Sequence, residues 1–304
     1  MALPVSRPAA LADENVPRGI GLMLTTTLFF VLIDTCGKHL MEQMSLAQVV
    51  WARFFFHFLA VIILLSPKLH RVWRTERPVL QIFRSALLLI TTFLFFAGIR
   101  ELPLAMASSI MFLSPILVTA LSVPVLKEKL GPRRTIGVFV GLIGALIIVR
   151  PGLGEVPLAA LYFVAAAVTN AFYQLTTRML RETDDAFTTL FYTALVGTVL
   201  ASTAAPTDWL APTSFDWVVM TLMGVCGALG HFTLIQAFRS APPSALMPFA
   251  YSGLVWATLF GFLFFANLPD GYTVLGAAII AGSGFYIFRR EQQLAREART
   301  AGGG

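Results

Sequence analysis

The segment RELPLAMASSIMFLSPILVTALSVPVLKEKLGPRRTIGVFVGLIGALIIVR, residues 100–150, decides the fold, because its pattern returns 139 positions later. The second copy, RSAPPSALMPFAYSGLVWATLFGFLFFANLPDGYTVLGAAIIAGSGFYIFR, spans residues 239–289. Each copy has an arginine, a turn with proline, a long apolar run, a short break and a glycine-rich apolar run. Few positions are identical, and the argument rests on the matching breaks in hydropathy. They indicate a chain built twice from one half.

The composition excludes a soluble domain. Hydrophobic residues make up 57% of the chain and charged residues 12%, whereas about a quarter of a soluble protein is charged. Apolar runs of about twenty residues can cross the hydrocarbon core as helices, and barrel strands would be shorter and would alternate. The sequence therefore predicts an all-α membrane protein. We attribute the net charge of +6 to cytoplasmic loops near anionic lipid, and not to nucleic acid binding.

Ten transmembrane helices are predicted, in two five-helix repeats. The first repeat, residues 18–150, has spans at 18–40, 46–65, 79–99, 104–126 and 135–149. The second repeat, residues 151–288, has spans at 158–180, 187–205, 217–238, 244–266 and 272–288. Residues 1–17 form an N-terminal arm and residues 289–304 a basic tail.

Lysine and arginine are distributed unevenly between alternate ends of these spans. Seventeen of the 22 lie at one set of ends: Arg7, Arg18, Lys68, Arg71, Arg74, Arg77, Lys127, Lys129, Arg133, Arg134, Arg178, Arg181, Arg239, Arg289, Arg290, Arg296 and Arg299. Only Arg100 and Arg150 lie at the other set. Because basic loops stay in the cytoplasm, both termini are predicted to be cytoplasmic.

The odd number of spans in each half reverses the second half in the membrane. Arg100 is then outside and its counterpart Arg239 inside. Two inverted repeats of this kind are the hydropathy signature of a secondary transporter.

A longer motif supports this interpretation. Ser114-Pro115 is followed by Leu126-Lys127-Glu128-Lys129-Leu130, then by Thr135-Ile136-Gly137 and by Gly141 to Gly144. With this motif, essentially the whole chain resembles the drug/metabolite transporter superfamily, EamA type. The second copy departs from the pattern, with Asn267 where the first has Glu128.

The resemblance implies an exporter of small metabolites, commonly amino acids, in the bacterial inner membrane. It also implies a central cavity lined by both halves, with alternating access by rocking of one half against the other. Within the superfamily, the chain looks most like the aromatic amino acid exporters.

Ionisable side chains inside the spans are the first candidates for a binding site, since each costs roughly 2.5–3.5 kcal/mol at the bilayer centre. Asp34 and Lys38 lie four residues apart, on one helix face, where they can pair. Arg53 and His57 repeat that spacing, and Arg84 lies in the third span. The side chains of Lys38, Arg53 and Arg84 could instead extend to a nearby interface between membrane and water. Asp34 is too short to do so, and it could carry a proton or form a structural pair.

Span 6 aligns with span 1 at an offset of 140, which places Gln174 opposite Asp34 and Arg178 opposite Lys38. The first half is thus charged at Asp34, where the second half has the neutral Gln174. A cavity of this kind would suit an asymmetric, zwitterion-like solute.

Further polar and aromatic residues lie on two adjoining rows of span 6. Tyr162, Thr169 and Tyr173 form one helical stripe, and Asn170 lies beside Gln174 on the adjoining row. Such stripes also serve helix packing.

His231 follows Gly224, Gly227 and Gly230 in span 8. The glycines let helices approach closely, and the histidine could relay protons or make an interhelical hydrogen bond.

Interior prolines are expected to kink spans 4 and 9, and each freed carbonyl must find a partner or face a wet cavity. The candidate substrate-binding residues are Asp34, Lys38, Arg84, Ser108, Ser114, Asn170, Tyr173, Gln174, His231, Tyr251 and Trp256.

Other chemistries lack their motifs. The chain has no phosphate-binding loop for ATP, no zinc spacing and no nucleophile elbow, so we expect no enzyme activity, metal or cofactor. The expected partners are an amino acid-like solute and lipid, with facilitated diffusion or proton exchange. Glycine-rich spans 5 and 10 would serve packing or a homodimer.

Two alternatives remain open. A phosphorylated or nucleotide-sugar solute would need several cavity-facing cations, which only Arg53 and Arg84 could supply. A non-transporting membrane protein with this fold would have no aqueous cavity between its halves.

Overall fold

The architecture is that of a computed structural model, which describes residues 15–66, 69–99, 110–111, 113–127, 132–149, 160–203 and 209–265. It also describes residues 271–272, 274–276, 278–279 and 282. Throughout these residues the secondary structure is helix and turn, with no strand. The predicted all-α class is therefore confirmed.

Eleven α-helices can be bounded in the described residues. From the first half these are α1 (Val16–Met41), α2 (Leu46–Leu65), α3 (Leu69–Val72), α4 (Pro78–Ile99), α5 (Leu113–Leu126) and α6 (Pro132–Val149). From the second half they are α7 (Ala160–Met179), α8 (Ala186–Ser202), α9 (Ser214–Ser240), α10 (Pro243–Ala250) and α11 (Ser252–Phe265). A 3₁₀ turn, Leu180–Glu182, follows α7.

Five helical segments are long and apolar enough to cross a bilayer. They are α1, α2, α4, α9 and the stretch Pro243–Phe265, which contains both α10 and α11. Large apolar side chains also cover the outside of the bundle, with Ile63 67% exposed and Val79 80% exposed. Lipid solvates such a surface, whereas water would not. The number of crossings and the side of each terminus stay predictions.

Local sequence sets where several helices begin. The Asn15 side chain accepts a hydrogen bond from the Arg18 amide at the start of α1, and Asp185 does the same for the Thr188 amide at the start of α8. Thr213 and Asp216 form a reciprocal capping box before α9. These contacts satisfy amide groups that the first helical turn leaves without partners.

The helices of the two halves pack in equivalent pairs. α1 packs along α9, and α4 packs along α7. In the sequence alignment of the halves, α1 corresponds to α7 and α4 to α9, so the two pairs are counterparts. α2 packs against α8, its own counterpart. The two halves therefore meet in the middle of the bundle, along a contact surface that we call the seam. It joins α1, α2 and α4 of the first half to α7, α8 and α9 of the second.

Small residues bring α9 very close to α2. A Cβ atom added at Gly224 would stand 2.6 Å from the backbone nitrogen of His57. That distance is too short for any real Cβ, so only glycine permits this approach. The structure therefore supports the packing interpretation of the glycines in the eighth span.

The ninth predicted span is broken where its proline predicted a kink. Pro248 lies inside α10, which ends at Ala250. Tyr251 forms a turn, and α11 begins at Ser252. Pro248 has no amide hydrogen to donate to the Ser244 carbonyl, and the break lies three residues after it.

Candidate functional site

A cavity of about 200 Å³ lies in the seam between the two halves. Its walls come from α1, α2, α4 and α5 and from α7, α9, α10 and α11. The polar wall residues are Thr26, Thr27, Asp34, Arg53, Thr91, Thr92, Ser114, Asn170, Tyr173, Gln174 and His231. Thr26 lies ten residues into the 26-residue α1, about 15 Å along its axis. The cavity thus reaches the middle of the longest first-half helix.

One carboxylate and one guanidinium share this cavity. Asp34 of α1 and Arg53 of α2 both line it, and each feels the electrostatic field of the other. Asp34 is half-buried, and Arg53 is 9% exposed. A charge held within an apolar bundle is costly unless a partner or a wet cavity accompanies it. Here the two opposite charges line one cavity with polar wall residues.

Lys38 lies elsewhere. Its Nζ stands 4.6 Å from the centre of the Phe265 ring, and Lys38 is not among the described residues that line the cavity. Lys38 therefore makes a cation–π contact at α11, whereas the cation that shares the cavity with Asp34 is Arg53.

The amide and hydroxyl groups predicted on span 6 and span 4 do meet. Asn170 Nδ2 donates to Ser114 Oγ at 3.1 Å, which joins α7 to α5 at the cavity wall. Gln174 lies one turn further along α7 and lines the same cavity. The row containing Asn170 and Gln174 thus faces the seam between the halves.

Arg84 lies behind the wall and not on it. The side chain is fully buried, and it donates to Thr177 Oγ1 at 2.7 Å and to the Tyr173 phenol oxygen at 3.0 Å. It also donates to Thr193 Oγ1 and to the Thr189 carbonyl. These contacts bind α4 to α7 and α8. They also satisfy most of a guanidinium's five donors.

Tyr173 connects this buried arginine to the cavity. Its phenol oxygen is 2.9 Å from Nδ1 of His231, and both residues line the cavity. The His231 ring lies 5.0 Å from Phe30 and is stacked at 5.4 Å on His57. Among the described residues, Nε2 of His231 and Nε2 of His57 have no hydrogen-bond partner. The centre of the seam thus combines aromatic faces with polar nitrogen atoms.

Two further candidates, Tyr251 and Trp256, are not among the described residues that line the cavity. Tyr251 is buried, with its ring against Gly141 of α6. The Trp256 indole nitrogen is buried, without a hydrogen-bond partner in the described residues. Ser108 lies outside the described residues.

Sequence reasoning missed several wall residues. Thr26 bonds to the Leu22 carbonyl and to Thr233 of α9, and Thr27 shares a 2.8 Å hydrogen bond with Ser252 of α11. Arg53 of span 2 also lines the cavity, although the residues predicted to bind substrate do not include it. A threonine in an apolar run can bond to its own helix, so its position alone does not indicate a cavity.

Comparison with known proteins gives a family match in each half. The sequence model described as "EamA-like transporter family" matches residues 17–150 and 157–289. An S-adenosylmethionine uptake transporter of Rickettsia bellii is 28% identical over 275 residues, covering 90% of this chain and 94% of that protein. A riboflavin transporter of Vibrio cholerae is 29% identical over 283 residues, covering 91% and 95%.

The fold also has a counterpart among solved structures. One crystal structure of a protein superposes with a TM-score of 0.75 and covers 92% of this chain and 98% of that one. At 19% identity, this likeness concerns the fold alone.

Proposed function

The chain belongs to the EamA-like transporter family, and from this premise we propose that its central cavity carries an amino acid-type metabolite across the bilayer. Membership makes it a multi-pass membrane transporter of the drug/metabolite superfamily, and not an enzyme. The solute, the direction and the driving force are our proposal.

The cavity is the observation that carries the proposal. Its wall residues come from both segments that match the family, and they include two charged side chains that a bilayer would otherwise exclude. A membrane protein that uses the fold without transport has no need of a polar cavity at its seam.

The charges favour a zwitterionic head group. Asp34 can accept from a solute ammonium group, and Arg53 can bind a solute carboxylate in two-pronged geometry. Phe30, Phe95 and His231 supply apolar and aromatic surface in the same cavity. An amino acid with an aromatic or other apolar side chain satisfies all of these groups at once.

The relatives support a heteroaromatic group as a second possibility for the solute. The first is named for S-adenosylmethionine, which carries an amino acid head and an adenine ring. The other is named for riboflavin, whose flat ring system carries no zwitterion. The tilted contact between Phe30 and His231 offers a face for such a ring.

We propose alternating access by rocking of the two inverted halves, with export from a cytoplasm that contains both termini. The equivalent packing of α1 on α9 and of α4 on α7 supports a symmetric hinge of this kind. A bacterial inner membrane is the proposed location, in line with the bacterial relatives.

A phosphorylated or nucleotide-sugar solute fits less well. Among the described wall residues Arg53 is the one lysine or arginine, and Asp34 opposes its charge. Arg84 lies behind the wall, where its donors are engaged.

Counterflow in proteoliposomes tests the proposal. Vesicles preloaded with unlabelled L-phenylalanine should accumulate labelled L-phenylalanine above the level in protein-free vesicles. Labelled S-adenosylmethionine and labelled riboflavin are assayed in the same way, and an imposed pH gradient tests proton exchange. Equal labelling of protein-containing and empty vesicles for all three solutes would contradict the proposal.

A further inference from the structure

Two hydrogen bonds connect Arg84 to Tyr173 and Tyr173 to His231, and their direction of donation can be worked out. Arginine can donate hydrogen bonds but cannot accept them. The 3.0 Å contact between Arg84 and the Tyr173 phenol oxygen therefore makes that oxygen an acceptor.

The phenol hydrogen must then point elsewhere. Nδ1 of His231 lies 2.9 Å from the same oxygen, and Tyr173 is only 1% exposed. A buried hydroxyl hydrogen without a partner is costly. The hydrogen has its acceptor if Nδ1 carries no proton, and the neutral imidazole then has its hydrogen on Nε2.

We infer that Arg84 and Tyr173 hold His231 in its Nε2–H tautomer, so that the cavity presents a fixed hydrogen-bond donor to the solute. Three observations support the inference. His231 lines the cavity, its Nε2 is a buried atom without a partner among the described residues, and its ring contacts the rings of Phe30 and His57.

This arrangement deepens the proposed function, on which it rests, by specifying the solute's chemistry. The solute should place a hydrogen-bond acceptor at His231, such as an aromatic ring nitrogen or a carbonyl oxygen. A plain phenyl ring would leave the N–H of His231 without an acceptor, and an unpaired donor in a binding site lowers affinity. Arg84 and Tyr173 act as positioning residues, since Arg84 does not line the cavity.

The tautomer can be measured without any transport assay. In ¹⁵N-histidine-labelled protein in lipid nanodiscs, NMR shifts distinguish a protonated ring nitrogen from an unprotonated one. The chain has four histidines, and the His231 signals are those lost in His231→Gln. We expect Nε2–H in the wild type and a mixture of tautomers in Tyr173→Phe.

Tyr162→Phe is the matched control, because Tyr162 lies on the same helix but is 42% exposed. It should leave the His231 signals unchanged. A wild-type His231 with its proton on Nδ1, or an equal mixture, would overturn the inference even if Tyr173→Phe failed to fold.

A matched solute set tests the consequence. The three pyridylalanine isomers have the shape of phenylalanine and differ from it by one ring nitrogen. The wild type should prefer at least one isomer over phenylalanine by about fivefold, the value of one net hydrogen bond. His231→Gln keeps an N–H near the position of Nε2 and should retain the preference, whereas His231→Leu should lose it.

The outcomes separate the two proposals. Equal transport of phenylalanine and all three isomers would overturn the inference about the solute and leave the transport function standing. Transport of none of the four would contradict the proposed substrate class, and the NMR result would still decide the tautomer.

Discussion

Asp34 of α1 and Gln174 of α7 line the same cavity, although they stand 140 positions apart at equivalent places in the two halves. The two halves thus place equivalent helices at the cavity, but the side chains at this position differ in charge. An asymmetric solute can distinguish the two sides of such a cavity, since among the described wall residues Asp34 is the one acid.

Removing the Asp34 charge should reduce amino acid transport. In Asp34→Asn, a solute ammonium group loses a charge-assisted hydrogen bond, and we expect L-phenylalanine counterflow to fall by about tenfold or more. Riboflavin, which has no ammonium group, should be affected much less. Glu42→Gln is the control, because Glu42 is exposed beyond the end of α1. Unchanged phenylalanine counterflow in Asp34→Asn would contradict the assignment.

Arg53 should be coupled to Asp34. Arg53→Gln removes the proposed carboxylate partner and should also lower counterflow by about tenfold, whereas Arg53→Lys should retain part of it. Because each residue lies in the other's field, the double variant Asp34→Asn/Arg53→Gln should cost less free energy of unfolding than the two single losses added together. Additive losses in denaturant unfolding would show that the charges act independently.

Much of the fold could be predicted from hydropathy. The second span was predicted at the observed bounds, Leu46–Leu65, and the third within one residue of Pro78–Ile99. Long apolar runs leave few alternatives in a bilayer, because every backbone group must be satisfied within a helix. The four-residue α3, Leu69–Val72, was not predicted, since a single polar turn has no periodic signal.

The site was less predictable, because helix rotation decides which face meets the seam. Asp34 and Lys38 share one side of α1 by their spacing, yet the long lysine side chain reaches Phe265, while Asp34 stays at the cavity. Arg84 was expected at the site, but its hydrogen bonds to Thr177 and Tyr173 keep it behind the wall. Such tertiary partners lie about 90 positions away in the sequence and leave no local signal.

Enlarging Gly224 should destabilise the bundle. In Gly224→Ala the new methyl group meets the backbone of α2, which cannot move aside like a side chain, and overpacking of this kind costs about 1–3 kcal/mol. We expect a clear fall in Tm for the purified protein. Gly21→Ala is the matched control, because a Cβ there meets nothing within 4 Å. Equal Tm values for the two variants would contradict the close approach of α9 to α2.

Asp184 should hold three segments together at one end of the bundle. Its carboxylate accepts from Thr75 Oγ1 at 2.8 Å, from the Glu76 amide and from Gln81 Nε2. Asp184→Ala leaves the fully buried Gln81 with one partner fewer, and we expect a loss of about 1–3 kcal/mol in unfolding free energy. Glu182→Ala, at an exposed position nearby, should change it little. Similar losses in both variants would argue against a specific role of Asp184.

The central claim, that solute passes through the cavity at the seam, is tested most directly by thiol labelling. With Cys36 and Cys226 replaced by alanine, Asn170→Cys places a thiol on the cavity wall, and Val168→Cys places one on the lipid-facing side of the same helix. A water-soluble methanethiosulfonate should modify the thiol at position 170 far faster than the one at position 168. L-phenylalanine should slow the modification at position 170 alone. Equal rates at the two positions, or no protection by a solute that the protein still transports, would contradict the claim.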